Sequence, residues 1–215
     1  MKTVPFFSNT PDDTHCFQAS LKMILGYFLP DQEFSWEELD RISHKLPGLS
    51  TWPQSMLIYL IQHNFDAFMI ESFDIQSFLR DGGDYLISDF GEEAGNWMIQ
   101  NSDIRAEQET FRQALAAGVR LERREPTQAE IKSYLDDGYL VICTVNSRAL
   151  NDQDGYVGHA VVIYDMDDNM ITLHDPGLPP IEARQVTREA FETAWASPAK
   201  KAKSMVGIKY LGTMS

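Results

Sequence analysis

Cys16, His159 and Asp175 are the residues of this sequence whose types and surroundings could together carry covalent chemistry. The reactive form of cysteine is the thiolate. Cys16 falls in the first turn of a predicted helix, where unpaired backbone N–H groups and the helix dipole favour an anion and lower a thiol pKa. Asp12 and Asp13 stand just upstream: turned toward the sulfur they would raise its pKa, and as helix caps they would point away. From the helix position alone, a catalytic thiol and a buried structural cysteine both remain open. His159 opens an apolar strand directly after Gly158, at the end of a Gly- and Asp-rich loop, so its ring can face a cleft while the strand stays buried. Asp175 ends the next predicted strand. A turn near Asp167–Asn169 brings residues around 159 opposite residues around 175. A carboxylate beside an imidazole fixes its tautomer and supports its charge. Read in isolation, Asp175-Pro176-Gly177 is an ordinary turn.

The elements that must position these groups are legible along the chain. Phe17, Leu21, Ile24, Leu25 and Phe28 fall on one face of a helix over 14–29 that Pro30 ends. Ser35 with Glu38 forms a capping box for a helix to about Leu46, and a third helix runs from Pro53 to about His63. The spacing predicts a short strand over 65–71 and helices over 74–79, 92–100 and 103–117. Thr127 with Glu130 forms a second capping box for a helix ending at Gly138. Strands follow over 139–145, 159–164 and 170–174, the last two as a hairpin. A short helix over 188–195 and a strand over 205–211 close the sequence. Helices followed by a C-terminal antiparallel sheet predict an α+β fold, in one domain over residues 1–215.

Composition narrows the function classes. The chain has 215 residues, 43% of them apolar and 23% charged, which fits a folded globular protein. Its net charge of −14 repels nucleic acid and anionic membranes, so neither is an expected partner. No run approaches the roughly 20 apolar residues of a membrane span, and the N-terminus has no secretory pattern. The expectation is a cytoplasmic protein. Two cysteines, Cys16 and Cys143, without a CxxC pair, and five histidines without an HExxH motif, carry no metal-ligand signature. Neither a metal nor another cofactor is expected. Cys143 and the tryptophans Trp52, Trp97 and Trp195 are expected in the core. His15 cannot share the direction of Cys16, since adjacent helical residues diverge by about 100°.

The segment from Asp13 to Leu25, Asp13-Thr14-His15-Cys16-Phe17-Gln18-Ala19-Ser20-Leu21 onward, resembles the nucleophile helix of C39-like, papain-fold cysteine peptidases. The stretches 127–146, Gly158-His159-Ala160-Val161-Val162-Ile163 and Leu173-His174-Asp175-Pro176 resemble that family's downstream blocks, in the order Cys, His, Asp. The resemblance weakens between about Glu33 and Arg120. It implies a papain-like fold with the nucleophile helix packed on the sheet, and a hydrolase that cleaves an amide or peptide bond through an acyl-enzyme at Cys16. In that scheme His159 is the base and Asp175 its orienting carboxylate, and the substrate is a peptide or small acyl compound. The same three residues also suit acyl or γ-glutamyl transfer, and a catalytically degenerate peptide-binding domain is the alternative from another class. Two positions depart from the family pattern. Phe17 replaces the usual glycine after the cysteine. Thr10 stands where the family keeps an oxyanion-binding glutamine, with Asn9 beside it as the candidate donor.

Overall fold

In the computed structural model, which describes residues 3–212, a seven-stranded sheet lies between two helical layers. The N-terminal part supplies α1 (Cys16–Phe28), α2 (Trp36–Ser43), α3 (Gln54–Gln62), β1 (Phe65–Glu71), α4 (Ile75–Asp81), α5 (Gly83–Phe90), α6 (Glu92–Gln100), α7 (Ile104–Ala116) and β2 (Arg120–Arg123). The C-terminal part supplies α8 (Gln128–Asp136), β3 (Leu140–Asn146), α9 (Ser147–Leu150), β4 (Gly158–Met166), β5 (Met170–Asp175), β6 (Ile181–Thr187), α10 (Arg188–Trp195) and β7 (Ser204–Tyr210). The strand order is β2-β1-β7-β3-β4-β5-β6.

Alternation along the strands gives each face its own core. Ala67 and Met69 of β1, Leu140 and Ile142 of β3, Ala160 and Val162 of β4, and Val206 and Ile208 of β7 pack against α1, α2 and α3. Phe68, Val141, Cys143, Val161, Ile163 and Met205 turn to the opposite face, where α8 and α10 cover them with Ile131, Phe191 and Trp195. Burying each such large apolar side chain contributes about 1.5–3 kcal/mol. A third, smaller cluster joins α4 to α7 around Phe73, Phe78, Tyr85 and Phe111, with Trp52 stacked on Phe78.

The α+β, papain-like arrangement expected from the sequence is present, and the sheet differs from the expected one in composition. It is mixed rather than purely antiparallel: β1 pairs parallel to β2 and antiparallel to β7. It therefore takes two strands from the helical part of the chain. β2 is four residues, Arg-Leu-Glu-Arg, with no apolar alternation to announce it. β6 is an edge strand with an exposed, polar burial pattern, and α5 follows Gly82-Gly83, which reads as a breaker. Trp97 departs from the expected core position: it is 58% exposed on the outer side of α6, whereas Trp195 is fully buried.

The close approach of β7 to β1 depends on Gly207. A Cβ there would lie 2.3 Å from the Phe68 ring, which is itself fully buried. Gly207→Ala should overpack this junction and lower stability by about 1–3 kcal/mol, read as a fall in the denaturant midpoint at unchanged slope. A midpoint equal to the wild type would show that the ring yields freely.

Candidate functional site

The nucleophile candidate is delivered by a loop that ties the two halves of the chain together. Cys16 is the first residue of α1, and Phe17, Leu21, Ile24 and Leu25 anchor that helix in the core behind it. α1 packs across β4, so its N-terminus meets the start of that strand. The preceding residue, His15, is the N-cap and has no side-chain cap of its own kind. Its backbone N–H donates instead to Asn9 Oδ1 at 2.7 Å. Asn9 Oδ1 also accepts from the Thr10 N–H at 2.9 Å, and Asn9 Nδ2 donates to Asp13 Oδ1 at 2.7 Å. The Asn9 backbone N–H reaches Pro176 O at 2.8 Å, directly after Asp175.

His159 pairs with Val145 at the mouth of β4 and is buried. Its Nε2 lies 2.7 Å from Asp175 Oδ1, which leaves Nδ1 for the Cys16 sulfur, and the thiol and ring hydrogen-bond each other. Asp175 is 4% exposed at the end of β5. Its Oδ1 also accepts from the Gly177 N–H at 3.0 Å, and its Oδ2 accepts from Arg184 Nη1 at 2.8 Å. Arg184 is fixed in turn by Nη2 donating to Leu150 O at 2.5 Å. The carboxylate thus holds the imidazole while Gly177 and Arg184 hold the carboxylate.

The electrostatics favour a thiolate beside an imidazolium. Burial alone would push the Cys16 thiol up; the hydrogen bond and charge of His159, with the Ala160 backbone N–H, outweigh it and hold the thiol below its ordinary value, while Asp13 works weakly the other way. Burial opposes the charge on His159, yet Asp175 and Cys16 raise its pKa to about 10. Asp175 is held below the usual carboxylate range: burial opposes ionisation and the contacts with His159, Gly177 and Arg184 prevail. A lowered thiol pKa places thiolate at pH values where a free cysteine is protonated. Alkylation of Cys16 by iodoacetamide should therefore keep its plateau rate well below pH 8.5, the ordinary midpoint of a free thiol. A profile that tracks a free thiol would exclude the ion pair.

Three residues that sequence reasoning missed complete the site. Arg184 lies on the unforeseen strand β6. Gly177 must be small, since a Cβ there would sit 3.0 Å from Asp175 Oδ1 and 3.3 Å from His159 Nε2. Asn146 shapes the loop before His159: its Nδ2 donates to Gly155 O at 2.8 Å and its Oδ1 accepts from the Val157 N–H at 3.0 Å. The pairing of Asp175 with Gly177 was the readable signal for the second of these. His15 turns away from the site, as expected, with Nε2 3.2 Å from Asp40 Oδ1. His174 faces the side of the sheet opposite Asp175's turn, donating through Nε2 to Val4 O at 3.0 Å. Cys143 is fully buried in the core, where burial raises its pKa well above the ordinary value. Among the described residues, no group of three or more His, Cys, Asp and Glu side chains is placed to hold a metal, and no helix is long and apolar enough to cross a membrane.

Comparison with known proteins bears on the fold and the family. The fold matches the crystal structure of a chain described as a C39-like peptidase from Bacillus anthracis, with a TM-score of 0.50 at 16% identity over 97% of this chain and 96% of that one. No curated protein matches the sequence. The model of a family described as Peptidase_C39 like matches residues 71–202, a stretch that holds His159 and Asp175 and begins after Cys16. With well over half of its length matched, the chain belongs to this Peptidase_C39-like family.

Proposed function

We propose that the protein is a cysteine-dependent hydrolase of peptide or related amide bonds, with Cys16 as nucleophile, His159 as general base and acid, and Asp175 as the orienting carboxylate. The observation that carries this reading is the continuous contact Cys16–His159–Asp175, with Arg184 fixing its far end. The thiolate attacks the acyl carbon, and the imidazolium gives its proton to the leaving amine as the C–N bond breaks. Water, deprotonated by the then neutral His159, releases the acyl group and restores the ion pair. The proposed donors to the oxyanion are the Cys16 backbone N–H at the helix start and the amide hydrogen of Asn9 that Asp13 does not take. Exposed Tyr156, Val157 and Leu178 flank the loops around His159 and Asp175 and offer apolar contact to a peptide.

A peptidyl acyloxymethyl ketone tests the assignment. It should alkylate one cysteine, Cys16, at a rate far above that of a denatured sample, and a pooled fluorogenic peptide amide should be turned over by the same preparation. Turnover accompanied by transfer of the acyl group to an added amine in preference to water would assign the site to a transferase. Peptide binding with neither labelling nor turnover would leave a binding domain and sink the enzymatic reading.

A further inference from the structure

The face of the sheet that packs under α1 and α3 ends in a row that is buried at Ala160 and only partly covered beyond it. The register runs from Ala160 on β4 to Thr144 on β3, Ser204 on β7 and Glu71 on β1. One step further down each strand, Val162, Ile142, Val206 and Met69 are buried in the core beneath the helices. By strand alternation Thr144, Ser204 and Glu71 share that face, and all three are only partly buried. The row begins at the catalytic thiol, because the Ala160 backbone N–H is the one that contacts the Cys16 sulfur. It therefore runs along the end of the sheet from the nucleophile to Glu71. Three inter-strand steps of about 4.8 Å put Glu71 roughly 14 Å from Ala160.

Glu71 differs from the acids that hold a cation. Asp175 has His159 and Arg184, Glu125 and Glu192 share Lys203, and Asp74 has Arg123. The Glu71 side chain makes no hydrogen bond or ion pair with any described residue, and burial alone raises its pKa to about 8. The charged groups around it are committed elsewhere. Arg123, at the end of β2, is bound to Asp74, and the side chain of Arg124, just beyond it, to Glu122 and Glu130. Just before β7, Lys203 turns to the opposite face with Glu125 and Glu192, leaving neutral Ser204 beside Glu71. From α3 comes neutral Gln54, against Met69 on the same face of β1; it is 1% exposed, and its Oε1 is buried without a hydrogen-bond partner. Glu71 thus stands at the end of the row as an acceptor to which the protein supplies no donor.

We propose that Glu71 is the specificity residue of a subsite that takes a basic side chain of the peptide substrate, with Ser204 and Thr144 lining it. This rests on Cys16 as the reacting centre. The distance suits the second residue from the scissile bond: one extended residue covers about 3.5 Å, and the stems of lysine and of Glu71, reaching toward each other, cover the remainder. An ammonium brings the donors that Glu71 lacks, and its charge holds the carboxyl ionised.

The test uses fluorogenic amides of the form acetyl-Xaa-Zaa-aminocoumarin, with Zaa an equimolar mixture and Xaa either lysine or norleucine. At pH 8.5 the wild type should prefer lysine by about 10–100-fold in kcat/KM, the scale of a hydrogen bond to a charged group. Glu71→Gln should bring that ratio close to one. The empty-site carboxyl is neutral below about pH 8, so the wild-type ratio should rise from pH 6.5 to 9. Glu107→Gln, which removes another burial-raised carboxyl remote on α7, should leave the ratio unchanged. A wild-type ratio near one, or a preference that survives Glu71→Gln, overturns the proposal. If neither amide is cleaved, the hydrolase reading fails, and anisotropy titration of both peptides onto the Cys16→Ala chain decides the subsite: tighter lysine binding that Glu71→Gln abolishes supports it, and equal binding overturns it.

Discussion

Turnover of a peptide amide by Cys16→Ala should fall by about 10⁶-fold, and adding His159→Ala should cost almost nothing further. The thiolate and imidazolium would act as one unit: the nucleophile forms the covalent bond, and the ring gives the leaving amine the proton it needs as the C–N bond breaks. Removing the sulfur already abolishes the path the base serves, so the losses cannot add. The alanine also removes the anion that, together with Asp175, holds the His159 pKa near 10. The ring should then titrate lower in Cys16→Ala, which proton NMR of His159 reads independently of any substrate. The comparison is made at equal Tm, since Cys16 lies at the edge of the core rather than in its centre. Residual turnover well above about one part in 10⁶ by Cys16→Ala exceeds what binding and oxyanion contacts alone supply in the absence of the nucleophile. That result would assign the chemistry to another group.

The second large effect falls on Asp175. Asp175→Asn keeps the side-chain shape and should lower kcat by about 10²–10⁴-fold. The amide no longer enforces Nε2–H on His159, and the positive ring loses its counter-charge. The effect reaches beyond His159 here, because Asp175 also neutralises Arg184. With the carboxylate gone, a partly buried guanidinium keeps its hydrogen bond to Leu150 O and loses its anion. Removing one partner of a buried pair destabilises by about 3–5 kcal/mol; the asparagine oxygen, which still accepts a hydrogen bond, should keep the loss below that. Two measurements separate the roles. The plateau of Cys16 alkylation should retreat toward that of a free thiol as His159 loses charge, and the Tm should fall with Arg184 unpaired. Unchanged kcat alongside a lower Tm would mean that Asp175 only fastens β5 to β6.

The sequence by itself determined the pieces whose causes are local. Capping boxes at Ser35–Glu38 and Thr127–Glu130 are both formed as read, because the hydroxyl and carboxylate that make them lie within one turn. The helical stripe of α1 and the apolar strands β3, β4 and β5 follow from periodicity, and their hairpin puts His159 within a hydrogen bond of Asp175. Chain order and the residue types around Cys16, Gly158-His159 and His174-Asp175 were enough to nominate the chemical groups. Asn9 was nominated as an oxyanion donor from its place upstream of Cys16, whereas its observed bonds to Thr10, His15 and Asp13 arise from a loop conformation that no spacing encodes.

The tertiary structure decided everything that depends on pairing between distant segments. β2 and β6 are short or polar and become strands only because β1 and β5 offer them an edge. Arg184 reaches Asp175 because β6 lies alongside β5, and nothing about an arginine nine residues downstream announces that contact. The same holds for Glu71. Its partnerless state and its place in the row with Ser204, Thr144 and Ala160 exist only once β1, from the helical part of the chain, inserts beside β7. Sequence patterns report which face of an element is apolar; the neighbours that face acquires, and hence which charges are paired and which are left for a ligand, are set by the packing of the whole sheet.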